Sequence, residues 1–534
     1  MPLDLIIRNG LVLDGMGAPA RRADLGLAAG RIVAVEPGGI EAGETPWLDA
    51  TGLIVAPGFI DIHTHSDATL LADGAAESQL LQGVTTEVVG NCGHSCAPAT
   101  RPGRVAERIF GRTAGFAIGW RSFGEYLDAL AAARPAVNVA ALVGHGTLRL
   151  CTMEEPDRPA GEDEIRGIRR LARTALEEGA IGVSTGLEYS PGSAATPREI
   201  VELCQEAASL DAIHTTHIRN RDAYWEIGLG EALAAARLAG VRTQISHISP
   251  KYGAPPGTAA AMIDMIGWSR AAGADVAFDV IPHNWGPTTM SAALPGWAQA
   301  GGVPRILDRL RDPEARARIK ANPEPMWRLV GDRRWDDIVL FHAPANASLA
   351  GLTFAEIGRI RNADPYDCVL DLLAEEGAGL FAATWLARQF TDADQDLLLA
   401  QPDCGVISDT VTLSRGGALA GMRWSPSTWG WTARFLDSFA RQRELMSLAE
   451  GVRRLTSLAA DRMGLAGRGR IQCGAAADLV LFDPAQLADR STLAVPEAPP
   501  TGLRHVVVNG AIAVQDGRVT GARAGRVLRR GAST

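Results

Sequence analysis

The stretch Gly58-Phe59-Ile60-Asp61-Ile62-His63-Thr64-His65 joins a strand-like apolar run to a pair of histidines at its end. Because successive side chains of a β-strand alternate between the two faces of a sheet, Asp61, His63 and His65 share one face. Two imidazoles on one face can bind a single metal ion. The stretch therefore predicts a metal-binding strand whose remaining ligands lie elsewhere in the chain.

The rest of the chain alternates short apolar runs with segments of helical length, which is the pattern of βα units around a parallel sheet. The runs expected to be strands are Phe59–His65, Thr86–Cys92, Val137–Gly144, Ile181–Gly186, Ala212–Ile218, Arg242–Ile248, Ala274–Pro282 and Cys404–Asp409. The pattern predicts an α/β chain that folds as a (β/α)8 barrel of the TIM type.

Residues able to bind a metal ion stand near the C-terminal ends of several predicted strands. They are His65, Cys92, His217, His247 and Asp409. A barrel of this type gathers the C-terminal ends of its strands into one active site. A single histidine at such a position is usually a hydrogen-bonded loop residue, but a whole set at equivalent ends favours a shared metal site. His214, three residues before His217, points to the opposite face and is not expected to join it.

Seven motifs follow one another along nearly the whole chain. They are Ala56-Pro57-Gly58-Phe59-Ile60-Asp61-Ile62-His63-Thr64-His65, Gly83-Val84-Thr85-Thr86, Gly90-Asn91-Cys92-Gly93, Val143-Gly144-His145-Gly146-Thr147-Leu148-Arg149, Ser184-Thr185-Gly186-Leu187, Thr216-His217-Ile218-Arg219 and Gln244-Ile245-Ser246-His247. In order and spacing these motifs resemble the amidohydrolase superfamily and, within it, the N-acyl-D-amino-acid deacylase (D-aminoacylase) group.

The resemblance implies three structural parts. Residues 1–54 and 468–534 contain short β-like runs with glycine turns, and both termini are expected to form one small β-sandwich beside the barrel. Residues 55–467 are expected to form the metal-dependent catalytic barrel. Within it, residues 284–345 are too long for an ordinary connection and resemble an insertion that closes over the pocket as a lid.

The lysine content bears on the metal ligands. Many amidohydrolases bridge two metal ions with a carboxylated lysine, but this chain has only Lys251 and Lys320, and neither ends a strand upstream of the histidines. In the resembling deacylases a cysteine takes that place, which implies Cys92, and a thiolate binds zinc well. A Cys92–Cys96 disulfide, or a structural zinc site of Cys96 with His94, are alternatives that the sequence leaves open.

The resemblance divides the ligands between a tightly bound zinc ion and a second, weaker one. The implied sites are Cys92, His217 and His247 for the tight ion, and His63, His65 and Asp409 for the weaker ion. Asp409 ends the last predicted strand and is the expected general base, which takes a proton from the attacking water and passes it to the departing nitrogen. The predicted reaction is zinc-dependent hydrolysis of a non-peptide C–N amide bond.

Substrate recognition is where the sequence departs from the resembling deacylases. They usually follow the catalytic Asp with a His-Pro-Arg run, whose Arg can bind an α-carboxylate. Ser425 and Ser427 stand at the His and Arg positions here. A serine cannot supply the charged, two-pronged donor that selects a carboxylate.

Two substrate hypotheses therefore stay open. An N-acyl-D-amino-acid deacylase would bind the substrate carboxylate with Lys251, Tyr189 and Arg423. A hydrolase of neutral amides, aryl amides, phenylureas or carbamates would use an apolar pocket with tryptophans such as Trp285 and Trp429 in its wall. A non-catalytic scaffold of the same fold is disfavoured, because such proteins lose metal ligands and this chain keeps a full set.

The composition and charge of the chain limit the classes of molecule that it is expected to bind. The 534 residues carry a formal net charge of −9, without a basic patch for nucleic acid. Asp4 and Arg8 interrupt the first apolar run, which reads as a strand rather than a signal peptide, and no apolar stretch reaches membrane-spanning length. Seven cysteines without regular spacing favour free thiols. We expect a cytoplasmic enzyme of small molecules, with no nucleic-acid or membrane partner; assembly as a homo-oligomer is left open.

Overall fold

The computed structural model describes residues 2–113, 116–322 and 326–531. The N-terminal strands are β1 (Leu5–Val12), β2 (Arg21–Ala28), β3 (Arg31–Glu36), β4 (Trp47–Asp49) and β5 (Ile54–Pro57). The next seven are β6 (Phe59–Asp61), β7 (Val84–Val89), β8 (Asn138–Gly144), β9 (Gly182–Gly186), β10 (Ile213–His217), β11 (Thr243–Ile245) and β12 (Val276–Val280). The remaining strands are β13 (Trp285–Thr289), β14 (Ile338–His342), β15 (Thr384–Arg388), β16 (Cys404–Val406), β17 (Leu479–Phe482), β18 (Leu503–Val508), β19 (Ala511–Gln515), β20 (Arg518–Val519) and β21 (Val527–Leu528).

Eight parallel strands form the barrel, in the order β6-β7-β8-β9-β10-β11-β12-β16. Its two end strands meet where Thr64 pairs with Thr410 and the backbone N–H of Asp409 donates to the carbonyl of His63 at 3.2 Å. Each predicted run overlaps one of these strands, which confirms the predicted (β/α)8 barrel. β6, β7, β11 and β16 stop three or four residues earlier than predicted, so the metal-capable residues after them lie in the loops that follow.

Helices cover the outside of the barrel. Those of at least eight residues outside the insertion are Phe123–Ala132, His145–Thr152, Glu162–Glu177, Pro197–Ser209, Trp225–Ala239, Thr258–Ala271, Asp392–Leu399, Ser427–Arg434 and Leu448–Leu455, with a π-helix at Phe435–Gln442. Local sequence sets their starts: Ser122 and Glu125 form a capping box, and Thr196 caps a helix that begins with Pro197. Within the described ranges, no helix combines the length and apolar character that crossing a membrane requires.

The two ends of the chain build one sheet. Strands from the N-terminal region and from residues 479–519 hydrogen-bond in the order β20-β19-β18-β17-β5-β1-β2-β3, with β4 beside β1. Their apolar side chains pack into a core separate from that of the barrel, around residues such as Leu25, Val55 and Leu481. The final strand, β21, leaves this sheet and pairs in parallel with barrel strand β8. Strands from both termini thus form a single connected sheet, and the last residues lie against the barrel; the β-sandwich expected for the two termini stays a prediction.

The insertion after β12 has its own sheet and core. β13, β15 and β14 form a three-stranded antiparallel sheet, whose side chains pack with helices such as Pro365–Glu376 and Phe354–Arg361. Because β15 lies well past residue 345 and pairs with both other strands, the expected segment 284–345 is only the first part of this unit. We propose limits of about 284–390 for the insertion.

Candidate active site

The side chains expected to bind metal lie together at the C-terminal end of the barrel. Sγ of Cys92 lies 3.3 Å from Nε2 of His63, 3.4 Å from Nε2 of His247 and 3.7 Å from Nδ1 of His217. Oδ1 of Asp409 lies 3.1 Å from Nε2 of His65 and 3.5 Å from Nε2 of His63. Two groups of potential ligands result, and they share Cys92. The groups are His63, His65, Cys92 and Asp409, and Cys92, His217 and His247.

An uncommon backbone conformation turns three of these residues into the site. Cys92, His247 and Asp409 have φ angles of 51°, 36° and 52°. Non-glycine residues seldom adopt this left-handed region, and such residues concentrate at functional sites that the surrounding structure holds in place. The backbone N–H of His247 donates to Oδ1 of Asp279 at 2.6 Å, which holds the turn. A Cβ on Gly186 would lie 2.0 Å from the carbonyl oxygen of Cys92, so only glycine fits beside that turn.

The chemistry of the donors suits a soft divalent cation. Burial lowers the pKa of His63 to about 3 and that of His217 to about 4, so both imidazoles are neutral and have a free lone pair. Burial also raises the pKa of the Cys92 thiol well above its ordinary value. A cation offsets that rise, because a metal-bound thiol deprotonates. Neutral imidazoles around one buried sulfur are a donor set that fits zinc.

Glu188 is a site residue that the sequence reasoning missed. Its Oε2 accepts a hydrogen bond from Nε2 of His217 at 2.7 Å, and its Oε1 accepts one from Nζ of Lys251 at 2.6 Å. Burial opposes its ionisation, but the ammonium of Lys251 and the hydrogen bond from His217 bring the pKa of Glu188 down to about 2. Glu188 follows the end of β9 by two residues, so the strand-end criterion used for the ligands would have found it.

Lys251, which was expected to bind the substrate, makes contacts within the protein, and its role in substrate binding stays a prediction. Its side chain is buried, and its ammonium also donates to the carbonyl of Met326 at 2.7 Å and lies 3.6 Å from Asp222. A buried ammonium is stable only when it is paired, and Glu188 is its partner here. In this structure Lys251 is engaged with protein groups instead of being a free cation for the substrate.

A cavity of about 290 Å³ lies between the barrel loops and the insertion. Tyr189 and Glu188 line it from the loop after β9, and His94 and Phe110 line it from the loop after β7. The ring of Tyr189 lies 4.8 Å from that of His217, and the ring of Phe110 lies 4.8 Å from that of His65. The cavity therefore adjoins the ligand cluster, as the substrate-binding expectation for Tyr189 requires.

Arg423, Trp285 and Trp429 are not among the residues that line this cavity, and their expected contact with the substrate stays a prediction. Arg423 borders a different hollow and lies 3.6 Å from Glu497. Trp285 is the first residue of β13 and lies beneath the guanidinium of Arg388 in a third hollow. Trp429 is buried in the core. The insertion sheet and the helix that carries Trp429 fix these positions, and local sequence does not reveal them.

The structure also gives the positions of Trp424 and of the two cysteines Cys92 and Cys96. Trp424 does adjoin the site: its ring lies 6.2 Å from that of His65, and its Nε1 donates to the carbonyl of Asp409 at 3.1 Å. Cys92 and Cys96 are both free thiols, so the disulfide alternative is wrong. Cys96 is absent from the groups of potential metal ligands found among the described residues, which disfavours the separate Cys96–His94 site.

The serines that replace the His-Pro-Arg run are buried and bonded to each other. Oγ of Ser425 donates to Oγ of Ser427 at 3.2 Å, and Ser427 begins the helix Ser427–Arg434. Both side chains are about 1% exposed. This position contributes no positive charge to the site.

A parallel (β/α)8 barrel with imidazole, thiol and carboxylate donors gathered at the C-terminal ends of its strands defines a metal-dependent hydrolase. The model of the Amidohydrolase family matches residues 47–276 and 420–514. N-acyl-D-glutamate deacylase of Alcaligenes xylosoxydans xylosoxydans is 36% identical over 99% of this chain and 97% of its own length, and D-aminoacylase of the same organism is 35% identical over 100% and 99%.

Solved structures agree with these matches. A D-aminoacylase described as having a binuclear metal centre superposes with a TM-score of 0.82 at 32% identity, covering 99% of this chain and 100% of the other. N-acyl-D-glutamate deacylase of Bordetella bronchiseptica, solved with zinc and a phosphonate mimic of the tetrahedral intermediate, has a TM-score of 0.81 at the same identity and coverage. This chain belongs to the amidohydrolase family, and within it to the N-acyl-D-amino-acid deacylase group.

Proposed function

We propose that the protein is a zinc-dependent deacylase of N-acyl-D-amino acids, which releases a carboxylic acid and a free D-amino acid. The observation that carries the proposal is the convergence of Cys92 with His217 and His247 on one side and with His63 and Asp409 on the other. Full-length similarity to D-aminoacylase and N-acyl-D-glutamate deacylase supports the choice of substrate.

The two donor groups would hold zinc unequally. Cys92, His217 and His247 would bind the tighter ion, because two neutral imidazoles and a thiolate are favourable zinc ligands. The imidazoles of His63 and His65 with Asp409, together with Cys92 from the first group, would hold a weaker second ion. When bound, zinc supplies Lewis acidity, which polarises an amide carbonyl and lowers the pKa of water toward neutrality.

Asp409 is positioned to move the proton of the reaction. Although burial opposes it, the hydrogen bond from His65 lowers the pKa of Asp409, so the carboxylate is ionised and has a lone pair for a proton. It would take the proton of the attacking water on Oδ1 and deliver it to the amide nitrogen, since an amine leaves poorly unless it is protonated. Tyr189 would hydrogen-bond the substrate through its hydroxyl, which now lies 3.2 Å from Oγ1 of Thr288.

The alternative of a neutral aryl amide, phenylurea or carbamate substrate loses part of its basis. Trp285 and Trp429, two of the tryptophans invoked for an aromatic pocket, lie away from the cavity at the ligand cluster. One observation still favours this alternative: position 427 is a serine, which cannot supply the positive charge that an arginine would offer to a substrate carboxylate.

A matched substrate panel tests the proposal. Zinc-loaded protein would be assayed with N-acetyl-D- and N-acetyl-L-amino acids, and with acetanilide, phenylureas and aryl carbamates. We expect turnover of the N-acetyl-D-amino acids and at least tenfold lower kcat/KM for the L-isomers. Turnover confined to the uncharged compounds would overturn the deacylase proposal and support the alternative.

A further inference from the structure

One arginine in the cavity beside the ligand cluster has no acidic partner among the described residues. The guanidinium of Arg108 donates to Oε1 of Gln299 at 3.2 Å and to the carbonyl of Gln299 at 3.1 Å, and it lies 4.3 Å above the ring of Phe381. Within the part of the chain that the structure describes, no carboxylate oxygen lies at ion-pair distance from it. Its neutral partners hold the group in place without neutralising its charge.

The other cations at this cavity are paired. Arg219 makes a two-pronged contact with Glu231 at 2.9 and 3.0 Å and also donates to two backbone carbonyls. Arg328 lies 3.3 Å from Asp332 at the exposed rim. Because these charges are satisfied, Arg108 is the cation in the described cavity wall that is best able to receive an anion.

Burial makes that charge costly without an anionic partner. Desolvation lowers the pKa of Arg108 below its ordinary value, and the more distant charges of Asp157 and Glu107 offset this only in part. A guanidinium presents several N–H donors in one plane, a geometry that matches the two oxygens of a carboxylate. An anion bound there would complete an ion pair in a partly desolvated cavity, where such a pair is stronger than in bulk water.

A second unpartnered polar group lies in the same cavity. His94 is only 6% exposed, and its Nδ1 has no hydrogen-bond partner among the described residues. Its ring lies 6.0 Å from the ring of Tyr189 and 5.0 Å from that of Phe110, which in turn contacts the ring of His65. Unsatisfied buried polar atoms are uncommon and call for a partner. The cavity wall next to the ligand cluster thus contains both a cation and a histidine with one unpartnered ring nitrogen.

We propose that Arg108 is the carboxylate-recognition residue of this enzyme, in a cavity wall that it shares with His94. Arg108 would supply from the loop after β7 the positive charge that Ser427 cannot supply from the helix Ser427–Arg434. The inference rests on the proposed deacylase function, because it assumes a substrate in which a carboxylate accompanies the scissile amide. Arg108 would determine specificity without taking part in bond cleavage.

Two substrates that differ only in the charge of one group separate a role of Arg108 in recognition from a structural role. Wild type, Arg108→Gln and Arg108→Lys would be compared on N-acetyl-D-leucine and its uncharged carboxamide, with Arg112→Gln as the control. Arg112 is a nearby arginine that donates to the carbonyl of Ala378 at 2.7 Å and borders a different hollow. Hydrogen bonds to charged groups contribute about 1.5–3 kcal/mol, so Arg108→Gln is expected to lower kcat/KM for the acid about 10–100-fold. The carboxamide should change little, and Arg108→Lys should retain part of the preference.

Further arms identify which carboxylate is bound. N-acetyl-D-glutamate, N-acetyl-D-glutamine and N-acetyl-D-isoglutamine carry both carboxylates, the α-carboxylate alone and the side-chain carboxylate alone. If Arg108→Gln lowers kcat/KM for the glutamine compound, Arg108 contacts the α-carboxylate. If it lowers kcat/KM for the isoglutamine compound, Arg108 contacts the side-chain carboxylate. Preference for the acid that survives in Arg108→Gln, or that is lost in Arg423→Gln instead, would overturn the inference.

A binding measurement separates this inference from the proposed function. Calorimetric titration of zinc-loaded protein with N-acetyl-D-leucine and its carboxamide reports recognition even without turnover. Suppose that wild type hydrolyses neither compound but binds the acid more tightly than the carboxamide, and that Arg108→Gln loses this difference. That result would refute the deacylase proposal and uphold the carboxylate site. Equal binding of acid and carboxamide by wild type would refute the carboxylate site.

Discussion

Nε2 of His217 lies 2.7 Å from Oε2 of Glu188, while Nδ1 of the same ring faces Sγ of Cys92 at 3.7 Å. The hydrogen bond to Glu188 requires a proton on Nε2, so the lone pair of Nδ1 points toward the other donors. A carboxylate behind a metal-ligating imidazole fixes its tautomer and increases its basicity. Lys251 completes the arrangement by holding Glu188 from the other side. Glu188 is therefore a positioning residue for the metal site.

Glu188→Ala should weaken metal binding. Loss of a carboxylate that orients a ligand typically costs 10–100-fold in metal affinity, and we expect a decrease of that size. Glu188→Gln, which keeps an acceptor oxygen, should lose less. Zinc affinity would be measured by competition with a chromophoric chelator. Glu231→Gln is the control, because Glu231 pairs with Arg219 and touches no ligand. Unchanged zinc affinity in Glu188→Ala would show that His217 is oriented by other contacts.

Cys92→Ala should remove both metal ions, because Cys92 is common to the two donor groups. His65→Ala should remove only the weaker ion, since His65 belongs to one group. Metal content would be measured by mass spectrometry after dialysis. The exposed Cys473 provides the control Cys473→Ser. A Cys92→Ala protein that keeps its full metal content would place the metal elsewhere.

Asp409→Asn should preserve the fold and the tighter ion but lose most turnover. An amide cannot accept the proton of the attacking water, and general acid–base catalysis contributes about 10²–10⁴-fold. The measurements are kcat with the N-acetyl-D-amino acid that wild type uses best, and zinc content. Asp403→Asn serves as the control, because Asp403 pairs with Arg270 away from the ligand cluster. Near-normal kcat in Asp409→Asn would remove Asp409 from the role of base.

Glu87→Gln should flatten the dependence of stability on pH. Burial raises the pKa of Glu87 from an ordinary 4.5 to about 8, so the folded protein binds a proton that the unfolded chain releases. Stability from this group is therefore fully present below pH 4.5 and declines between 4.5 and 8, by about 1.4 kcal/mol per pH unit. Urea unfolding of metal-loaded protein at several pH values would measure it. Equal slopes for wild type and Glu87→Gln would contradict the raised pKa.

The barrel was predictable because its signals are local and repeated. Alternating apolar runs and helical segments mark each βα unit, and barrel geometry brings every strand end to the same rim. This is why His65, Cys92, His217, His247 and Asp409 could be grouped from sequence alone. Glu188 obeys the same rule, because it lies two residues beyond the end of β9, but the local pattern drew attention to the neighbouring Tyr189 instead.

The substrate-facing wall depends on contacts between distant segments. Arg108 and Gln299 are 191 positions apart, and they meet only because the insertion packs over the loop after β7. Lys251 and Glu188 are 63 positions apart, and their pairing places the ammonium against the carboxylate that hydrogen-bonds His217. Nothing in the local pattern around Arg108, Lys251 or Trp285 indicates which hollow each side chain borders.

The sequence by itself therefore determined the barrel and the set of potential metal ligands at its rim, because strand periodicity and parallel packing translate spacing into position. Only the tertiary structure decided which charges are paired. Ion pairing depends on atoms within a few ångströms, and in this protein those atoms come from the barrel loops and from an insertion that folds around its own core. That is why Lys251 is neutralised by Glu188, while Arg108 has only neutral partners among the described residues.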